Sequence, residues 1–265
     1  MKVITVSSWE EYQAEVNNLK ALRNMAAQNE FGTAPLLFRG QGNSKWDLDT
    51  TLDRYTKTPV SLQEYFKKLQ VIKLKIETFT EQSWEFNLDD AIAWSGNLPF
   101  NVIPGYEYMV FLRHHGFPSP LLDWSESPQV AAFFAFRDPP KTAEYVSIFA
   151  FCKTMDGITY SSSNSPAIYT YGPNIKSHPR HFLQQSNYTI CTVFKDTTQY
   201  FASHQEVKPV ENISQDYLWR IDVPVSERRK ALTSLGEFNL NSFSLFGSTE
   251  SLLETLALQN FGEYF

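Results

Sequence analysis

Cysteine is scarce in this chain, with two among 265 residues, Cys152 and Cys191, both inside apolar runs (SIFAFCK and YTICTVF). So few exclude a disulfide scaffold, and without a C-x-x-C pair the common zinc and redox motifs are excluded too. One buried disulfide or two inert thiols on strands are left, and the apolar flanks favour the thiols. No apolar run reaches the roughly 18 residues that a membrane span needs, so no membrane partner is expected. The opening MKVITVSSWEEY lacks a basic segment followed by an apolar one, so no signal peptide is expected and the chain reads as cytoplasmic. Positive charge is also short. The 23 Lys and Arg against 29 Asp and Glu leave a formal charge of −6, which argues against a broad basic surface for duplex nucleic acid. There is no G-x-S-x-G elbow, H-E-x-x-H, EF-hand loop or kinase signature.

Rings are plentiful: 21 Phe, 13 Tyr and 6 Trp imply interlocked packing or a ring-lined cleft. The order of elements follows from periodicity and caps. Ser8 and Glu11 read as a capping box ahead of Trp9, Tyr12, Val16, Leu19, Leu22 and Ala26 at helical spacing. Ala34 to Phe38 reads as a strand ending in a tight turn at Arg39-Gly40-Gln41-Gly42. Ser61 and Glu64 open a second helix, and a third follows Pro104 and stops at Gly116. Ser127-Pro128 supplies an N-cap and a proline at the first helical position for VAAFFAF. Strands are expected at 146–151, 168–171, 188–194 and 217–223, a helix at 226–235 closed by Gly236, and a last helix capped by Ser248. Helices first and strands later predict an α+β fold with a helical N-terminal half packed on a mainly antiparallel sheet, in one domain.

Three clusters carry chemistry. Arg39, after an apolar strand and before glycine, offers a planar charged fork suited to phosphate or carboxylate; it is equally suited to a buried ion pair joining two layers. Gly40 and Gly42 allow a ligand to approach the backbone closely. Arg113-His114-His115-Gly116 places histidines at a helix C-terminus, where the negative dipole end favours protonation, and Asp123 lies nine positions beyond His114 in Leu122-Asp123-Trp124-Ser125. Asp123 is expected to pair with Arg39 or a histidine, or to cap a turn. His178-Pro179-Arg180-His181, followed by Gln184-Gln185-Ser186-Asn187, lacks the carboxylate or cysteine that would complete a metal set. Asp47, Asp49 and Asp53 read as a solvated turn, and Arg228, Arg229 and Lys230 as solvent-facing.

In this order the clusters resemble the FRG-domain family of mainly bacterial and phage proteins. The resemblance runs from Phe38-Arg39-Gly40 through 112–125 and Ser127-Pro128 to Arg180, Gln184 and Gln185, and to Ser244-Leu245-Phe246. It implies an N-terminal helix over residues 1–30 and an FRG domain over 31–258, within one continuous unit of 1–265. Arg113 stands where the family often has glutamine, and Pro120 where arginine is common. The spacing is also similar to ADP-ribosyltransferase cores. Carried over, that similarity implies a toxin- or phage-defence-type effector with a nucleotide-like ligand, NAD as substrate, and a macromolecular target. In that reading Arg39, His114, Asp123 and Gln185 are catalytic. Phe38, Gly40, Gln41, Trp124, Ser125 and Arg180 bind the ligand, with Trp124 stacking on its ring. No metal is implied. The alternative is a non-enzymatic module that binds a nucleotide or a nucleic-acid end without turnover, or a structural Arg-Asp-His network.

Overall fold

The computed structural model describes residues 1–26, 34–95, 103–154, 165–172, 180–207 and 215–261. The chain begins with β1 (Lys2–Thr5), α1 (Trp9–Ala26), β2 (Leu36–Gln41), α2 (Thr51–Tyr55), α3 (Leu62–Thr80) and α4 (Leu88–Ser95). It continues with α5 (Tyr106–His114), β3 (Leu122–Ser125), α6 (Pro128–Arg137), β4 (Tyr145–Thr154) and β5 (Ala167–Tyr171). Then come α7 (Arg180–Leu183), β6 (Ser186–Lys195), β7 (Thr198–Phe201), β8 (Gln215–Pro224), α8 (Arg228–Glu237), α9 (Ser242–Phe246) and α10 (Thr249–Phe261).

The strands form one sheet in the order β1-β8-β4-β2-β3-β6-β5, with β7 added to β6. Only the β1–β8 pair is parallel among the described strands, so the α+β, mainly antiparallel architecture holds. The mostly helical N-terminal half is interrupted by β1 and β3 as well as by the expected β2, and β2 lies mid-sheet. On one face Phe38, Val146, Ile148, Ala150 and Ile221 pack against α1, α6 and α8. On the other, Leu37, Trp124, Phe149, Phe151 and Leu218 form a smaller core. A third cluster joins α3 and α5 to Tyr171, Tyr188 and Ile190. Period-two alternation along β2 and β4 therefore fills two faces at once, which is why β4 is apolar almost throughout.

Several local expectations need correction. Glu11 accepts from Ser7 N and Oγ rather than from Ser8, so the capping box is one-sided: the Ser8 hydroxyl caps Glu11 N at 3.2 Å. The segment Arg39 to Gln41 continues the strand and pairs with β4; it is not a turn. Gly236 lies inside α8, whose cap is Phe238, with Asn239 in the left-handed region at φ 55°. Arg228 donates to the carbonyls of Phe136 and Arg137 at 2.8 and 2.9 Å, closing the end of α6 instead of facing solvent. Asp53 serves as the N3 residue of a capping box with Thr50. Cys152 and Cys191 are free, buried thiols on β4 and β6. Burial pushes Cys152 up to about 11, which leaves it unreactive at neutral pH. His178 and Pro179 lie outside the described residues. Among the described residues, no helix is long and apolar enough to cross a membrane and no side-chain group is set to hold a metal.

Candidate functional site

β2 and β3 pair at one position, Phe38 opposite Ser125. Beyond it the two strands splay, and Arg39 lies in the gap. Its Nη1 donates to the main-chain carbonyl of Asp123 at 2.7 Å, where a ladder bond would otherwise run, and lies 3.3 Å from Asp123 Oδ2. Phe38 on one side and Leu37 on the other are sealed in opposite cores, so the strand cannot slip and the guanidinium is fixed in place.

Asp123 serves two arginines. Its Oδ1 accepts from Arg113 Nε at 2.8 Å and from Arg113 Nη2, while Oδ2 faces Arg39. Arg113 also donates to Thr51 Oγ1 at 3.3 Å, and that hydroxyl in turn fixes Ser119. Burial alone would raise the Asp123 carboxyl, but the charges of Arg113 and Arg39 outweigh it and hold the group far below the usual carboxylate range. Asp123 is therefore a permanent anion and a poor general base.

His114 Nε2 shares a 2.8 Å hydrogen bond with the Tyr188 hydroxyl. Burial lowers the imidazole, with Asp123 opposing, so the neutral form is favoured despite the helix end. Burial raises the Tyr188 phenol, which stays protonated, and its ring stacks on His181 at 5.8 Å. Deeper in, Trp124 Nε1 donates to Thr189 Oγ1 at 2.8 Å, and that hydroxyl bonds His204 Nε2 at 2.8 Å. Trp124 is thus a core ring, 3% exposed, and not a stacking surface.

Arg39, Gln41, His114, Asp123, Ser125 and Arg180 all line a cleft of ≈ 1360 Å³. Of the expected set, Phe38, Gly40 and Trp124 border the cleft as well, although Phe38 packs in a core and Gly40 lies against α6; Gln185 is exposed with φ 49° and does not line the cleft, while its neighbour Gln184 does. Ser125 is engaged, its Oγ donating to Gln184 O at 2.7 Å and capping Ser127 N at 3.0 Å. Gln41 Nε2 donates to Asp47 O at 3.2 Å, which fixes the amide so that its buried Oε1 is unpartnered. The ring missed in the sequence is Trp46, which lines the cleft and is 50% exposed. The available signal was its setting, a polar GNSKWD loop beside the Arg39 strand. Six basic and five acidic residues line the cleft, a small positive surplus in a chain of charge −6.

Residues 34–144 match the FRG domain. The chain carries an FRG domain. The match holds β2, α5, β3 and α6, hence Arg39, Trp46, Arg113, His114 and Asp123, while Arg180 and Gln184 come from beyond it. Comparison with curated proteins and with solved structures finds no match.

The same burial fixes a pH response of the folded protein. Burial pushes His204 down to about 3, against 6.5 for a free imidazole, and His114 shifts the same way. Below pH 6.5 the unfolded chain takes up protons that the native state refuses, so stability is full above that value and falls as the medium turns acid. His204 alone contributes a loss of about 3 kcal/mol by pH 4.5. The Asp123 contribution persists lower, being lost only as pH falls below 3.8. Denaturant midpoints at pH 7.5 and 4.5 check this, with His204→Gln expected to flatten the difference; an equal loss in that variant contradicts it.

Proposed function

We propose that the cleft of this FRG-domain protein binds a small anionic ligand bearing an aromatic ring, of the nucleotide class, with NAD and ADP-ribose as the forms to test. One observation carries the reading: Arg39 sits at the splay of β2 and β3, on the wall of a large cleft, while Arg113 holds Asp123 Oδ1 through both Nε and Nη2. Asp123 does not need Arg39 for neutralisation, so Arg39, with 14% of its side chain exposed, is charge in reserve for a ligand. Trp46 supplies an accessible stacking face at the same cleft. Support is for binding, because the position that the transferase similarity gives to Gln185 lies outside the cleft and Asp123 is held as an anion.

Calorimetric titration with ADP-ribose and NAD tests this. Arg39→Met is expected to remain folded and to lose about tenfold or more in affinity, since a hydrogen bond to a charged group contributes about 1.5–3 kcal/mol. Trp46→Ala is expected to lose about fivefold or more through stacking. Chromatography of the recovered NAD separates binding from turnover. Absence of saturable binding, or an Arg39→Met protein that binds like the parent, overturns the reading.

A further inference from the structure

The cleft has a second wall, made by parts of the chain that the Arg39 network does not reach. Gly40 turns its Cα toward α6, so α6 lies on the face of the sheet opposite the Arg39 side chain, and its C-terminal residue Arg137 still lines the cleft. Arg137 meets Glu254 of α10 fork to fork, Nε to Oε1 and Nη2 to Oε2, both at 2.6 Å. The Arg137 guanidinium lies 4.6 Å from the centre of the Phe246 ring, and that of Arg180 lies 5.4 Å from the same centre. Arg180 Nε also donates to Phe246 O at 3.2 Å. Arg228, closing α6 through its last carbonyls, brings a third guanidinium to this wall.

Two guanidiniums gathered on one ring repel each other unless an oxyanion lies among them. Glu254 supplies an oxyanion at Arg137, its carboxyl lowered chiefly by the Arg137 hydrogen bonds. The pair is open to the cleft, with 34% of Arg137 and 39% of Glu254 exposed, so both groups are within reach of what enters. The geometry of a planar fork on two oxygens is the one that Arg uses for phosphate.

We propose that this wall is a second oxyanion subsite, that Arg137 and Arg180 take a phosphate of the ligand there, and that Glu254 occupies the subsite as an internal stand-in. The inference rests on the ligand-binding reading of the cleft and names its consequence. The ligand has two anchor points, one at Arg39 and one across the sheet, and α10 must surrender its carboxylate before the second is engaged. Glu254 then acts as a competitor built into the fold.

Titration with ADP-ribose and with inorganic pyrophosphate tests this. Glu254→Gln removes the competing charge and keeps an amide that still accepts one N–H; both probes are expected to bind about three- to tenfold more tightly. Adding Arg137→Lys to Glu254→Gln is expected to cancel that gain, because a lysine cannot supply the fork. The single Arg137→Lys protein, with its fork on Glu254 broken and its charge kept, tests the same subsite if Glu254→Gln fails to fold; it is expected to bind pyrophosphate about threefold more weakly. The gain for pyrophosphate is expected to persist in an Arg39→Met background. If Arg39→Met leaves ADP-ribose binding intact while Glu254→Gln still strengthens pyrophosphate, the Arg39 reading fails and the subsite stands. Unchanged affinity in Glu254→Gln and in Arg137→Lys, or no binding of either probe to any variant, overturns the proposal.

Discussion

Gly40→Ala is expected to abolish folding or to cost more than about 4 kcal/mol, read as loss of soluble protein or as a collapsed denaturant midpoint. A Cβ at Gly40 falls 1.9 Å from the Ala131 carbonyl oxygen and 2.6 Å from Ala135 N. Both are main-chain atoms of a hydrogen-bonded helix, so no rotamer change relieves the clash. Either α6 lifts from the sheet, opening the largest core, or β2 leaves its place beside β4. Neither Gly40 nor Gly42 has positive φ, so conformational freedom is not the requirement at 40; space is. Gly236→Ala is the internal control. It lies within α8 with nothing within 4 Å, and there alanine is expected to stabilise the protein by about 0.5–1 kcal/mol. Equal behaviour of the two variants would contradict the packing account.

Asp123→Ala is expected to be the second most damaging change, at about 3 kcal/mol. Breaking a buried ion pair by removing one partner costs about 3–5 kcal/mol, and here it leaves two guanidiniums facing each other; the 40% exposure of Asp123 places the effect at the lower end. Arg39→Met is expected to cost only about 1–2 kcal/mol, since Arg113 still pairs the carboxylate. Urea unfolding of both variants and of the Asp123→Ala/Arg39→Met double variant closes the cycle. The double variant is expected to be less unstable than the sum, because it leaves one unpaired charge instead of two. Additivity within error would mean that Arg39 and Asp123 do not act on each other.

The triplet Phe38-Arg39-Gly40 was legible as important, but its three members do different jobs. Phe38 is core, Arg39 faces the cleft, and Gly40 admits a helix. Local signals sufficed where a cap or a 3.6-residue period was strong, as in α6, whose Ser127 hydroxyl caps Val130 N at 3.2 Å behind Pro128. β3 was not legible. Leu122–Ser125 is four residues long and holds a charged one, and its extended form comes from strands paired on both sides. Which tryptophan offers an open ring depended on burial by distant segments: both border the cleft, but Thr189 and Phe151 cover Trp124 while Trp46 stays open. The shift from Gln185 to Gln184 turns on one left-handed residue. Arg113 stood out as a departure from the expected pattern, and it is the residue that frees Arg39.

The single rung between β2 and β3 gives the sheet a seam. On one side lies a panel of β1, β8, β4 and β2, and on the other a panel of β3, β6, β5 and β7, each laced internally along its length. The segment matched as the FRG domain contributes one strand to each panel. What that segment encodes is therefore less a free-standing body than a join, with the arginine fastened across it.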